Sequence, residues 1–431
     1  MKRIVFIAVL FTCAAQLRAQ VLTLDQAINI ALKNSLDIQI AKNNQEASEI
    51  NNNIGIAGGL PEVTGSLTNT QSITNLNQQL NSGTHISRNG NINNSLNTGI
   101  SGSYVIFNGF RVYATKSRLA AIERQSEQQV ALQIQNIVAG VTVKYYDIVR
   151  QQSYMKTMQQ AINVTQQRKD IIDARRSVGL ANNADTYQAV LDLNASRQEL
   201  QSQELVFIQA QSDLMNLLTQ RPDSSYEIRD TIIVDSTINF ATVTASISKN
   251  PELLSSEQQI RINEWIEKEV GAQRYPAIAL NAGVNFARSQ SSAGNVTLNQ
   301  NYGPLVGVSL AVPIFNGGVY KRQLRVAEID TRNATSTRQI LLNDLQTSAV
   351  KSWQAYQNSL QQLTLEKENN KVAFDLLELT LARFKLSQAT IIEVREAQRS
   401  FVEAGYRLVN LAYTAKVAEV ELKRLSNSLG I

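Results

Sequence analysis

The sequence predicts a mainly α protein carrying membrane β-strands: long antiparallel helical hairpins and four transmembrane strands per chain, arranged as two structural repeats. Three observations carry that reading. Two very long runs, Arg111 to about Arg176 and Val319 to about Phe384, contain no proline, and only Gly140 interrupts the first. Short runs ahead of each alternate apolar with small polar residues, the period-two signature of a strand with two unlike faces. Each alternation ends in a related junction, Val105-Ile106-Phe107-Asn108-Gly109-Phe110 and Val312-Pro313-Ile314-Phe315-Asn316-Gly317-Gly318.

At these junctions a strand gives way to a helix. Pro313 cannot donate to a sheet ladder, and the glycines release the backbone for the change of direction. Beyond them the halves continue in step. Tyr113, Arg118, Ala120, Ile122 and Lys144 recur as Tyr320, Arg325, Ala327, Ile329 and Lys351; Arg175, Asp185 and Ala189 recur as Arg383, Glu393 and Ala397. A period this long marks a duplicated domain rather than a solenoid.

Met1-Lys2-Arg3 and the apolar run Ile4 to Phe11 read as a secretory leader over 1–19, cut after Ala19, although Leu17 is not the usual small residue. Cys13 follows Phe11 and Thr12, a poor context for lipidation. The leader carries Lys2, Arg3 and Arg18 of a total of 41 basic residues against 36 acidic ones. The mature chain is therefore nearly neutral, and nothing in it points to nucleic acid. His85 is the only histidine and Cys13 the only cysteine, so the usual zinc sites and the Cys–His and Ser–His nucleophile pairs cannot be assembled. No Walker or dinucleotide-type glycine loop occurs. The expected metals and cofactors are none, and most enzyme classes are excluded. No run of about 18 apolar residues follows the leader, which leaves strands as the only means of crossing a bilayer.

In order, Thr23 or Asp25 caps a helix running through Ala27, Ala31 and Leu32 towards Ile54 and stopped by Gly58-Gly59 and Pro61. Strands are expected from Glu62 to Ile73 and from about Leu96 to Ile106, separated by a polar stretch at Asn81–Asn91. The helix from Arg111 turns back at Val178-Gly179-Leu180-Ala181 and returns to about Arg221. An irregular linker spans Asp223 to Phe240. A helix interrupted near Asn250-Pro251 opens the second half; strands follow around Ile278–Phe286 and Val306–Ile314, separated by a polar loop at Arg288–Asn301. The helix from Val319 shows a seam at Leu345, Ala349, Trp353, Tyr356, Leu360 and Leu363. It turns at Leu386–Thr390 and returns to Leu425. The organisation is thus a leader 1–19; a first repeat 20–222 with strand hairpin 62–107 and helical hairpin 109–220; a linking segment 223–242; and a second repeat 243–431 with strand hairpin 276–315 and helical hairpin 317–427.

Strands of about ten residues with one apolar and one small-polar face suit lipid on one side and a lumen on the other. Four strands cannot close a barrel, which takes about eight. Several copies should therefore pool their strands.

The duplicated halves, the Val312–Gly318 junction and the Val178-Gly179-Leu180 turn resemble the TolC family of bacterial outer-membrane efflux proteins, across essentially the whole mature chain. The resemblance implies a homotrimer with a 12-stranded barrel in the outer-membrane lipid of a Gram-negative bacterium and a helical barrel through the periplasm. An equatorial belt would include the linker 223–242. The trimer would be a passive exit duct for a tripartite efflux or type I secretion system, partnered by a periplasmic adaptor and an inner-membrane transporter. The family's adaptor contacts fall on Val178, Gly179, Leu180 and Ala181, and in the second repeat on Ser387, Gln388 and Ala389, where the glycine is missing. Its pore and gate carboxylates fall on Asp185, Glu393 and Glu396, while Ala389 stands where some relatives carry a gating arginine. A ring of like carboxylates would repel, raise its own pKa and attract cations.

The alternative is a non-conducting exported coiled-coil stalk or adhesin, which explains the rods but not the paired strand hairpins. An enzyme is a distant third, since Glu366 and Glu368 sit amid solvated helix residues. The transported substrate, the pump and the adaptor are not encoded legibly, although the lack of His and Met clusters argues against a dedicated metal duct.

Overall fold

The structure, a computed structural model, describes residues 21–223 and 226–430; the expected leader lies outside them. Helix α1 (Leu24–Asn34) starts at a capping box. The Thr23 hydroxyl accepts from the Gln26 amide at 3.3 Å, and the Gln26 side chain accepts from the Thr23 amide at 3.1 Å. The sequence suggested one helix to about Ile54, but the chain breaks at Ser35 and resumes as α2 (Leu36–Asn51). Ser35 has ψ 121°, and its hydroxyl accepts from the Ile38 amide at 3.4 Å. A serine side chain thus takes the place of a backbone partner and starts a new helix.

Four strands, β1 (Glu62–Gln79), β2 (His85–Phe107), β3 (Ala277–Ser291) and β4 (Leu298–Ala311), form one sheet in chain order, antiparallel throughout. They run 14 to 23 residues, not about ten. Most of the polar stretches expected to be loops are paired strand, leaving 80–84 and 292–297 as the connections. Ladder bonds join backbone to backbone and ignore side-chain polarity, so polar runs pair as well as apolar ones. Their side chains add cross-strand bonds, such as Asn91 to Ser291 and Asn93 to Thr74, each at 3.0 Å. In the other direction, Val312 and Ile314 lie beyond the last strand residue, Ala311. Pro313 between them has no donor for a ladder.

The register sorts the side chains cleanly. Leu67 pairs with Thr98, Ile100 with Val284, Tyr104 with Leu280 and Leu280 with Val308, all on one face. Thr64, Ser101, Gly283 and Ser309 share positions on the other, where Asn281 bonds Ser309 at 3.1 Å. The apolar face is exposed: Leu67, Ile100, Val284 and Val308 show 59 to 73% of their surface.

The long helices come in equal pairs. Helices α3 (Arg111–Ser177) and α7 (Val319–Lys385) have 67 residues each, about 100 Å at 1.5 Å per residue. Their returns, α4 (Asn183–Leu217) and α8 (Ile391–Leu425), have 35 each. Between repeats stand α5 (Phe240–Ser246) and α6 (Pro251–Ala272), with the break at Asn250-Pro251 as expected. The described residues fall into two compact units: one is drawn from Met1–Lys42, Gln128–Leu254 and Ile340–Ile431, the other from Asn43–Glu127 and Ser255–Gln339. Each draws on both repeats.

In the first unit, one core packs Ala27 and Ala31 of α1 against Val141, Tyr145 and Ile148 of α3 and Leu214 of α4. A second uses the expected seam of α7. Leu345, Ala349 and Tyr356 are buried there with Leu422 and Leu425, and Trp353 and Leu360 pack alongside. The irregular linker is pinned by Glu419, only 2% exposed. Its carboxylate accepts from Lys416, Lys423 and the Asp235 amide, each at 2.9 Å. Asp235 itself is held well below the usual carboxylate range by the Thr237 hydroxyl first, then the Thr237 amide and Lys423.

Candidate functional site

The hairpin tips are built by the same backbone device in both repeats. At the end of α3, Gly179 takes φ +75°; its amide bonds the Arg176 carbonyl at 3.0 Å and the Leu180 amide bonds that of Arg175 at 2.8 Å. This is a Schellman closure, which requires a left-handed residue after the helix. At the end of α7 the same two bonds run from Ser387 to Phe384 and from Gln388 to Arg383, at 3.1 and 2.8 Å. Ser387 there adopts φ +63°. The missing glycine therefore changes the residue and not the turn.

Val178, Gly179, Leu180, Ser387 and Gln388 are exposed, whereas Ala181 and Ala389 are half-buried. The two alanines pack on one cluster, Ile172, Ala189, Phe384 and Val394, that joins both tips. Arg175 strengthens that joint: its guanidinium lies 4.4 Å from the Phe384 ring centre and donates to the Phe384 carbonyl. Its repeat counterpart Arg383 donates to Gln388 in its own turn at 2.9 Å.

Asp185 and Glu393 occupy one structural role. Each is the third residue of a returning helix and completes a capping box, Asp185 with Asn182 and Glu393 with Thr390. The Glu393 carboxyl is lowered by bonds from the Thr390 amide and hydroxyl, then by Arg383 at 3.8 Å. Glu396 is exposed and joined to Arg399 at 2.6 Å; Arg399 also reaches Glu403 at 3.9 Å.

Above the tips lies a charged groove of about 410 Å³ between α3, α4 and α8. Arg168, with 2% of its side chain exposed, pairs with Asp192 at 2.6 Å, and Arg395 reaches the same carboxylate at 3.5 Å. Asp192 thereby links two arginines of different hairpins. Burial lowers the Arg168 pKa against the pull of Asp192. Gln398 adds a second link, donating to Thr165 at 2.8 Å. Burial also raises the Tyr406 hydroxyl to about 12. These residues escaped the sequence reading. A signal did exist: Arg168 and Asp192 stand equidistant from Leu180 and so face each other across the turn.

The junction residues do what their chemistry requires. Gly109 and Phe110 both have positive φ, as do Gly317 and Gly318. The Asn108 carbonyl accepts from Arg111 and the Asn316 carbonyl from Val319, each at 3.3 Å, closing the turn into the helix. Pro313 precedes the second turn outside the strand. Among the described residues no group of His, Cys, Asp and Glu could hold a metal ion, and no helix is long and apolar enough to cross a membrane.

Comparison with known proteins agrees with this architecture. The sequence matches the outer membrane efflux protein family over residues 27–220 and 243–428. It is 22% identical over 321 residues to the outer membrane protein TolC of Vibrio cholerae, covering 71% of each chain. It is 19% identical over 419 residues to the outer membrane efflux protein BepC of Brucella suis, covering 93% of this chain and 84% of that one. Among solved structures, the Campylobacter jejuni CmeC outer membrane channel superposes with a TM-score of 0.79 at 17% identity, over 95% of this chain and 86% of that one. The Vibrio cholerae outer membrane protein VceC gives 0.78 at 17%, over 94% and 95%. With the family matched in both repeats and the fold shared along nearly the whole chain, this protein belongs to the outer membrane efflux protein family, the TolC family of Gram-negative outer-membrane channels.

Proposed function

We propose that three copies of this chain form the passive outer-membrane exit duct of a tripartite efflux or type I secretion system, fed by an inner-membrane transporter through a periplasmic adaptor. The observation that carries this is the sheet: four strands, an apolar face, a small-polar face and two outer edges unpaired among the described residues. Such a sheet is stable in lipid only when copies close it into a barrel. A coiled-coil stalk or adhesin has no use for that face and is not favoured. The family is one of ducts, not of enzymes.

In this reading the tips at Val178–Ala181 and Ser387–Ala389, exposed apart from the two half-buried alanines, are the adaptor's landing surface. Asp185, Glu393 and Glu396 line the narrow periplasmic end. Glu396 acts with Arg399 and Glu403 as a charge set, not as a lone acidic ring. The segment 223–242, pinned by Glu419, forms the equatorial belt.

The deciding experiment is single-channel recording of the detergent-purified protein in a planar bilayer, with particle mass from light scattering. Trimers that give steady, cation-selective openings support the duct. A detergent-independent single chain with no current refutes it. Gly179→Pro should leave trimers intact and abolish export, because proline removes the amide that closes the tip; wild-type export would take the tip out of the docking surface.

A further inference from the structure

The strand-to-helix turn of the first repeat has an aromatic side and a cationic side that an exit duct does not by itself require. We propose that the depression between the start of α3 and the end of α6 binds an anionic glycerophospholipid, its phosphate on Lys268 and Arg274 and the top of an acyl chain against Phe110 and Tyr113. The site presupposes, as above, that the sheet's apolar face meets lipid; it adds which lipid chemistry the foot of the sheet selects.

The backbone supplies the first observation. The turns Phe107-Asn108-Gly109-Phe110 and Phe315-Asn316-Gly317-Gly318 correspond position by position. Their last two residues are left-handed in both, at φ +70° and +65° in the first and +66° and +74° in the second. The second repeat places glycine at the final position, where the conformation costs nothing. The first places phenylalanine there, and a bulky side chain in that region is an outlier. Gly318 closes the same turn without a ring, so the turn itself does not need Phe110. Nor does burial explain it, because Phe110 is 66% exposed. Strain kept where a glycine would relieve it points to a use for the ring.

The ring's neighbours extend the apolar face of the sheet. Phe110 meets Phe107 edge-on with ring centres 5.4 Å apart, and Tyr113 follows at 6.2 Å. Phe107 pairs with Ile278, which lies two residues from Leu280 on the apolar face and pairs on its other side with Leu310. The aromatic cluster therefore carries the lipid-facing surface past the end of the strands. An exposed Phe and Tyr at that level suit the boundary between acyl chains and headgroups.

Beyond the cluster lies charge. A β-carbon at Gly109 would sit 2.6 Å from the Ala272 carbonyl and 2.8 Å from the Tyr275 side chain, so the turn is pressed against the end of α6; at Gly317 it would meet nothing within 4 Å. Beside that contact is a depression of about 400 Å³ lined in part by Phe110, Tyr113, Trp265, Lys268, Arg274 and Tyr275. The Lys268 ammonium lies 3.8 Å from the Trp265 ring centre, and the Arg274 guanidinium 5.2 Å from that of Tyr275. Among the described residues neither cation forms a salt bridge. Glu269 is taken by Arg118 at 2.8 Å, and Glu267, the one carboxylate lining the depression, accepts from the Thr331 hydroxyl at 3.5 Å. Aromatic faces hold cations without neutralising them. Two cations against one carboxylate leave the depression positive, which favours a lipid of net negative charge over a zwitterionic one. The succession of apolar strand, aromatic ring and cation is that of acyl chain, interface and phosphate in a leaflet.

The test is native mass spectrometry of the full-length protein released from detergent, with phosphatidylglycerol and phosphatidylcholine added in equal amounts. One phosphatidylglycerol per chain should survive activation that strips phosphatidylcholine. Lys268→Gln with Arg274→Gln should weaken its retention about tenfold. Equal retention of the two lipids by the parent protein, or unchanged retention by the double variant, would overturn the site. So would complete displacement of phosphatidylglycerol by inorganic phosphate, which would make the depression a site for free anions. Phe110→Gly, which copies the second repeat, should lower retention without lowering the melting temperature of the assembly. Full retention with a lowered melting temperature would make the ring a packing group and remove it from the site. Detergent-stable assemblies that hold no phosphatidylglycerol overturn the site alone, whereas chains that stay soluble without detergent overturn the membrane reading of the sheet.

Discussion

Ser387 sits at φ +63° because the closure of α7 demands a left-handed residue there. An L side chain in that conformation costs about 1–2 kcal/mol. Ser387→Gly should remove that penalty and return about 0.4–1 kcal/mol through the looser unfolded chain, a net local gain of roughly 0.5 kcal/mol. Slower exchange of the Gln388 amide would report it. Gly179→Ala should run the other way, losing about 1 kcal/mol and speeding exchange at Leu180. Glu393 makes a pH prediction. Its folded pKa is lowered, so its contribution is present above the ordinary glutamate value of 4.5 and is lost as pH falls through the lowered folded value. Amides in the first turn of α8 should therefore exchange faster below that point, and Glu393→Gln should flatten the change. Equal acid sensitivity in the variant would assign the effect to another group. The sequence showed the turns but not their equivalence, because a serine carries no mark of the φ that its neighbours impose.

Among the elements, the linker 226–239 has little regular structure of its own and depends on what holds it. Glu419 is the holding point, buried and accepting from two lysines and a backbone amide. Glu419→Ala leaves those donors without their carboxylate and should lower stability by about 3–5 kcal/mol, read by denaturant unfolding in detergent. Glu419→Gln, which can still accept from Asp235, should cost less. A change below 1 kcal/mol for the alanine variant would remove the anchor role. The linker was recognisable by exclusion, as the one stretch with neither period. Glu419 was not, since a glutamate between lysines on a helix reads as a solvated face. The same ambiguity hid Arg168 and Asp192. Ser35 failed for a related reason: its hydroxyl competes with helix bonds only in a local geometry that periodicity does not register.

For the whole molecule, the sheet's two faces and its two edges, unpaired among the described residues, set the terms. A lumen lined by Ser, Thr, Asn and Gly should conduct with little intrinsic preference, so selectivity should arise at the charged periplasmic end. Glu396→Ala releases Arg399 to Glu403 alone and should shift the reversal potential toward anions, with the wide part of the conductance unchanged. Unchanged selectivity would take Glu396 off the pore wall. The strands were legible as to face but not as to length. Alternation survives in sequence only where the two faces differ chemically, and the outer stretches Thr74–Gln79 and Arg88–Ser95 are mostly polar on both faces.

What the sequence determined by itself was the repeat, the two long hairpins, the strand-to-helix junctions and the amphipathic sense of each strand. These follow from periodicity and from where glycine and proline stand, which are local properties of the backbone. What only the tertiary structure decided was which polar groups are shared. Asp192 bridges two hairpins, Glu419 collects the linker, Ser387 substitutes for glycine, and Gly317 stands open where Gly109 is packed. Asp192, Glu419 and Gly109 depend on residues far apart in the chain arriving within hydrogen-bond or van der Waals distance, Ser387 on a closure that its own turn imposes, and no periodicity records either.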